Sequence, residues 1–195
     1  TSKTGVHNGH QWVDLGLPSG LKWATCNVGA SSPEDYGCYY SWGDTKVREE
    51  YILGCCSSWG RPWVNISGSI YYDAASANWG GDWRMPTSEE FQELIENCIW
   101  TWKTSEYYSG YEVKSKINGN SIILPAAGNF VAEFIADIGD GFYWSASSSK
   151  DNTLMAESLS FNEDGQYIHE YSRHLGCNVR PVMPNEISSN GNAWS

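Results

Sequence analysis

The residues best suited to chemistry lie near the C-terminus. Tyr167, His169, Tyr171 and Arg173 alternate with Gln166, Ile168, Glu170 and Ser172, so a strand would put each set on its own face. Tyrosine and histidine give broad contact area and adaptable hydrogen bonds at small entropic cost, which suits recognition. Only Ile168 is aliphatic, so one face is expected to be open, although an ordinary solvated strand has the same composition. Ser147, Ser149, Asp151 and Asn152 on a neighbouring loop, with His174, complete the candidate ligand-binding set.

Bond-making chemistry finds less support. His174 and Cys177 are three residues apart, which in a strand turns them to opposite faces unless Gly176 bends the chain. No third group orients such a pair, so no catalytic residue is assigned. His7 and His10 have a spacing that metals accept, but catalytic zinc takes three protein ligands and no third lies nearby. The six cysteines form no CxxC pair; they allow 15 disulfide connectivities, or serve as buried thiols. Trp59 and Trp63 sit in an irregular stretch, where they either present stacking surfaces or pin the loop to the domain. Neither GxGxxG nor a Walker loop occurs, and no cofactor is expected.

Composition narrows the class of partner. The 195-residue chain carries a net charge of −11, which opposes nucleic-acid binding and attachment to anionic membranes. Hydrophobic residues make up 41%, too many for a disordered chain, and no apolar run approaches the roughly 18 residues of a membrane span. The N-terminus has no signal-peptide pattern.

The elements that must hold these residues read as α+β. Short strands are expected at Trp12–Leu15, Leu21–Thr25 and Tyr39–Trp42, followed by an irregular insertion over residues 43–69. A short helix is expected over about 72–78. The main amphipathic helix, about 87–99, is announced by a capping box from Thr87 to Glu90 and by Phe91, Leu94, Ile95, Cys98 and Ile99 on one face. Beyond it the pattern is β: Tyr111, Val113, Ser115 and Ile117 alternate with charged residues up to an Asn118-Gly119 turn. Strands follow at 121–124, 142–144, 159–161, 167–171 and 178–180. The expected domain spans 1–183, with a flexible tail over 184–195.

Several words in the chain, in order, resemble one family. They are Trp12–Ala30 (WVDLGLPSGLKWATCNVGA), Ser32–Gly37 (SPEDYG), Trp42-Gly43-Asp44, Ala77–Thr87 (ANWGGDWRMPT), Leu124–Gly128 (LPAAG), Tyr143-Trp144-Ser145 and Val179-Arg180-Pro181-Val182. Together, from His10 to Val182, they resemble the Fibrobacter succinogenes major paralogous domain of Bacteroidetes surface proteins. The resemblance implies a C-type-lectin-like fold with twisted antiparallel sheets. It also implies relatedness to formylglycine-generating enzymes and to the variable proteins of diversity-generating retroelements.

For function, the resemblance implies a non-catalytic ligand-binding or adhesion module. It would be secreted or held on the outer face of the outer membrane, with any lipid anchor outside this chain, and its ligand would be an extracellular protein or glycan. The alternatives are a structural module of an envelope or pilus-like assembly and a formylglycine-generating-type oxidoreductase, whose paired cysteines this sequence lacks. In diversified relatives the variation falls between the Tyr-Trp-Ser and Val-Arg-Pro-Val words, here Ala146–Asn178. Lys150, Glu157 and Glu170 depart from the menu that adenine mutagenesis of Asn codons yields. The Glu-Pro-Asn, Gln-Pro-Asp and Trp-Asn-Asp words of calcium-dependent lectins are missing, so calcium has only loop carboxylates to use. Cys38, Cys177 and the cysteine pair in the insertion depart from the family pattern and leave room for a bridge such as Cys38 with Cys55 or Cys56.

Overall fold

The computed structural model describes residues 3–185. The chain opens with a hairpin of β1 (Thr4–His7) and β2 (His10–Asp14), joined by Asn8 and Gly9 at φ of 47° and 83°. Positive φ at both turn positions is what a two-residue hairpin requires. β3 (Lys22–Ala24) follows, and the last strand among the described residues, β12 (Val182–Met183), returns to pair with it through Val182 and Trp23. The order β1-β2-β3-β12 thus brings the two ends of the fold into one sheet. β1 lies upstream of the first strand that the sequence pattern marks, because an exposed four-residue strand leaves no hydrophobic alternation to read.

Two helices cross the middle of the described chain. α1 (Ala74–Trp79) is capped by Asp73, whose carboxylate also accepts from the amides of Gly68 and Met85 and so ties the insertion to the chain beyond the helix. It begins two residues after the expected start of about 72, since Asp73 in extended conformation is the cap. α2 (Ser88–Asn97) has the capping box read from sequence, with both Thr87 and Glu90 side chains engaged. It stops at Asn97 rather than about 99, because Cys98 turns extended (φ −126°, ψ 155°) and opens a strand. Cys98 is buried as expected, but Ile99 then points outward and is 54% exposed.

That strand, β4 (Cys98–Thr104), pairs with β5 (Ser109–Ser115), which pairs with β6 (Ser121–Pro125). The expected alternation holds at Tyr111, Val113 and Ser115 and ends there, leaving Ile117 exposed. Instead of a tight Asn118-Gly119 hairpin, residues 116–120 form a wider loop. The Ser115 hydroxyl donates to the Leu15 carbonyl, and the amide groups of Asn118 and Asn120 both donate to the Asp14 carbonyl, so the loop is tied to β2. A small hairpin follows, β7 (Asn129–Val131) with β8 (Phe134–Ala136), too short to register in the sequence pattern.

The C-terminal half is a three-stranded antiparallel sheet of β9 (Gly141–Ser148), β10 (Met155–Asn162) and β11 (Gly165–Ser172), with β10 in the centre. This sheet separates two hydrophobic cores. Phe142, Trp144, Ala146 and Ala156 face one, packing with Trp42, Tyr40, Trp79 and Trp83. Tyr143, Leu159 and Phe161 face the other, with Phe91, Leu94 and Trp23. β9 carries aromatic residues on both faces because both are buried. Residues 178–180, expected as a strand, instead make isolated bridging contacts, such as Asn178 with Tyr143, before β12.

Residues 43–69 hold neither helix nor sustained strand, yet they are not a detached loop. Tyr51, Cys56, Ser58 and Ile66 are buried. The Tyr51 amide donates to the Ala132 carbonyl, and the Ile66 amide to the Ala146 carbonyl. Tyr39–Trp42 forms only a bridge at Tyr40. All six cysteines are free thiols. Among the described residues no helix is long and apolar enough to cross a membrane. The expected tail lies outside the described residues from 186 onward.

Candidate functional site

The alternation on β11 places Tyr167, His169 and Tyr171 on one face, as the sequence predicts. Register with β10 sets Ser160 opposite Tyr167, Ser158 opposite His169 and Ala156 opposite Tyr171. Because β11 is the edge strand, this face runs from the core outward: Tyr167 and His169 are exposed, while Tyr171 is half-buried against the first core. Arg173 lies past the strand end and is buried, its guanidinium 4.4 Å over the Trp42 ring and bonded to the carbonyls of Met155, Ser58 and Arg61. On the opposite face Ile168 packs into the second core.

A cavity of about 180 Å³ opens on the exposed face, lined by Asp140, Phe142, Ser160, Asn162, Tyr167, His169 and Tyr171. Its floor is rigid. The Tyr171 ring meets Phe142 edge-on at 5.1 Å, and its hydroxyl lies 2.9 Å from that of Ser160. His169 tilts over Tyr171 at 5.7 Å. Tyr167 folds back over the turn, and a Cβ on Gly165 would come within 2.6 Å of its hydroxyl, so only glycine permits that pose. Burial raises the Tyr171 phenol above its ordinary value, with Cys177, Asp140 and Asp137 adding to the effect and the Ser160 bond opposing it. Burial and then the neighbouring Asp137 raise the Asp140 carboxyl.

The remaining candidates sit elsewhere. Ser147 lines a second cavity of about 380 Å³ with Asn65, Glu89, Ser149, Lys150 and Glu157, at the other end of the sheet. Five strand positions from Tyr167 to Ser172 put that end roughly 17 Å away. The Ser147 hydroxyl accepts from the Ser88 amide at the start of α2. Ser149 is buried, and its hydroxyl accepts from the amides of Asp151 and Asn152, organising the loop between β9 and β10. Asp151 and Asn152 are themselves exposed. The His174 ring bonds Ser172 at 2.6 Å and meets Trp59 edge-on at 5.7 Å, and burial lowers its pKa. The eight candidates therefore divide into one aromatic cluster and one hydroxyl-rich end.

The covalent candidates do not assemble. Cys177 is fully buried and burial pushes its thiol well above the ordinary value, opposite to what a nucleophile needs. His7 and His10 face each other across the first hairpin but are separately engaged: His7 accepts from the Asp82 amide, and His10 stacks on Trp79 at 3.7 Å. Among the described residues no three His, Cys, Asp or Glu side chains gather to hold a metal. Trp63 packs on the first core and on Tyr72 at 4.1 Å, so it pins the insertion.

Sequence reasoning missed Asp140, Phe142 and Ser160 as lining residues. A signal for Ser160 existed: the two-residue turn Glu163-Asp164 fixes Asn162 opposite Gly165, and counting back two pairs gives Ser160 opposite Tyr167. Asp140 has no such signal, since it enters from the loop between β8 and β9. Comparison with family models, with curated proteins and with solved structures finds no match to this chain.

Proposed function

We propose that the chain is a C-type-lectin-like domain of the major paralogous type that binds an extracellular ligand non-covalently, as an adhesion or recognition module of an exported bacterial surface protein. The observation that carries this reading is the aromatic cavity on edge strand β11, where Tyr167 and His169 are exposed above a fixed floor of Tyr171 and Phe142. Exposed aromatic side chains on a rigid support bind with little ordering cost, because the contact surface is in place before the ligand arrives. Further support for the fold assignment comes from the meeting of the first and last strands of the described residues in one sheet and from the separate three-stranded sheet with its long connecting loops.

The test is the double variant Tyr167→Ala, His169→Ala, screened beside wild type against arrays of glycans and of bacterial and host surface proteins. Both side chains are exposed, so the melting temperature should shift by no more than about 2 °C. A ligand bound by wild type should lose at least tenfold in affinity. A variant that keeps every ligand of the wild type would leave a structural module of an envelope assembly as the better reading.

A further inference from the structure

We infer that the cavity beneath Tyr167 and His169 receives a cationic side chain, lysine or arginine, presented by a partner protein. This rests on the binding reading above and names its ligand class. The cavity is aromatic on several sides, through Tyr167, Tyr171 and Phe142, and the faces of such rings attract a cation. A carboxylate completes it. Asp140 is half-buried at the rim, and its side chain has neither a hydrogen-bond nor an ion-pair partner among the described residues. Burial together with Asp137 behind it raises the Asp140 pKa, the mark of a carboxylate short of a counter-charge.

No lysine or arginine of this chain lines the cavity to supply that charge. Arg173, just past the end of β11, is spent inward on Trp42 and three backbone carbonyls. Glu163 and Asp164 at the β10–β11 turn add to the negative potential, and the net charge of −11 draws a cationic partner from a distance. At about 180 Å³ the space is below the roughly 300–1,000 Å³ of small-molecule sites. It suits one inserted side chain better than a run of sugar rings.

The experiment is calorimetric titration with hexa-lysine, and with uncharged cellohexaose as the counter-probe, on the whole chain at low salt. Asp140→Asn and Tyr167→Ala are compared with Glu96→Gln, which removes an equal charge from the exposed face of α2. Thermal melts check that each variant is folded. The inference expects hexa-lysine affinity to fall at least tenfold in Asp140→Asn and in Tyr167→Ala, and to stay within twofold in Glu96→Gln. It is overturned if wild type does not bind hexa-lysine, or if all three variants weaken equally, since net charge alone would then account for binding. Cellohexaose binding that depends on Tyr167 and ignores Asp140 would also overturn it while leaving the recognition reading intact. Indifference of both probes to Tyr167→Ala would remove both.

Discussion

The hydroxyls of Tyr171 and Ser160 meet at 2.9 Å across the β10–β11 pair. They are not register partners, for Tyr171 stands opposite Ala156 and Ser160 opposite Tyr167. The Tyr171 ring therefore lies along the sheet, passing beneath His169 toward the Tyr167 end, and becomes the floor of the cavity. The small Ala156 beside it and the Phe142 ring, set nearly perpendicular at 87°, leave that pose open. Removing either hydroxyl should cost about 1 kcal/mol of stability, the usual net value of such a bond. Tyr171→Phe and Ser160→Ala should each weaken ligand binding several-fold. In a double-mutant cycle read by denaturant unfolding the pair should show a coupling of about 0.5–1 kcal/mol, and strict additivity would mean that the bond does not hold the floor.

α2 should impose its own pH dependence. Glu90 accepts from both terminal nitrogens of Arg84, at 2.7 and 2.6 Å, and from the Thr87 amide at 2.8 Å. Burial alone would raise its pKa, but Arg84 and Thr87 outweigh burial, and the net shift is below the ordinary 4.5. A carboxyl whose folded pKa is depressed adds stability that is fully present above its unfolded value. That stability is lost as pH falls through the folded value. Glu90→Gln should thus destabilise the domain by about 2 kcal/mol at pH 7, since bonds to a charged group are being replaced. The gap to wild type should narrow as the pH drops below about 4.5. Urea midpoints measured from pH 7 to pH 3 would test this, and a gap that stays constant with pH would contradict it.

How much of this was legible beforehand differs by element. The start of α2 was written in Thr87 and Glu90, because a capping box is a local device whose two bonds need only four consecutive residues. Its end was not, since Cys98 and Ile99 continue the helical spacing while long-range pairing with Lys114 and Ser115 draws them into β4. Tertiary pairing overrode local periodicity there. On β11, strict alternation predicted the face shared by Tyr167, His169 and Tyr171. It could not reveal that Ser147 and Ser149 end up at the far end of the sheet, because that depends on the antiparallel direction of β9 and β10. Nor could Asp140 be found, since a carboxylate brought in by a loop carries no periodic signature.

The turn glycine before Tyr167 offers the sharpest separation of site from scaffold. Gly165 has no need of a left-handed conformation, as it is not among the positive-φ glycines, so alanine meets no backbone strain there. What alanine would meet is the Tyr167 hydroxyl, 2.6 Å from the new Cβ and at the free end of an exposed side chain. Such a side chain swings aside at little cost, so Gly165→Ala should change stability by less than about 1 kcal/mol. It should nevertheless move the ring away from the cavity mouth. Affinity for the ligand is then expected to fall toward that of Tyr167→Ala, while the melting temperature stays near wild type. Equal affinity in Gly165→Ala and wild type would show that the folded-back pose of Tyr167 plays no part in binding. A large loss of stability would instead place Gly165 in the scaffold, with the β10–β11 turn as the part that cannot bear a side chain.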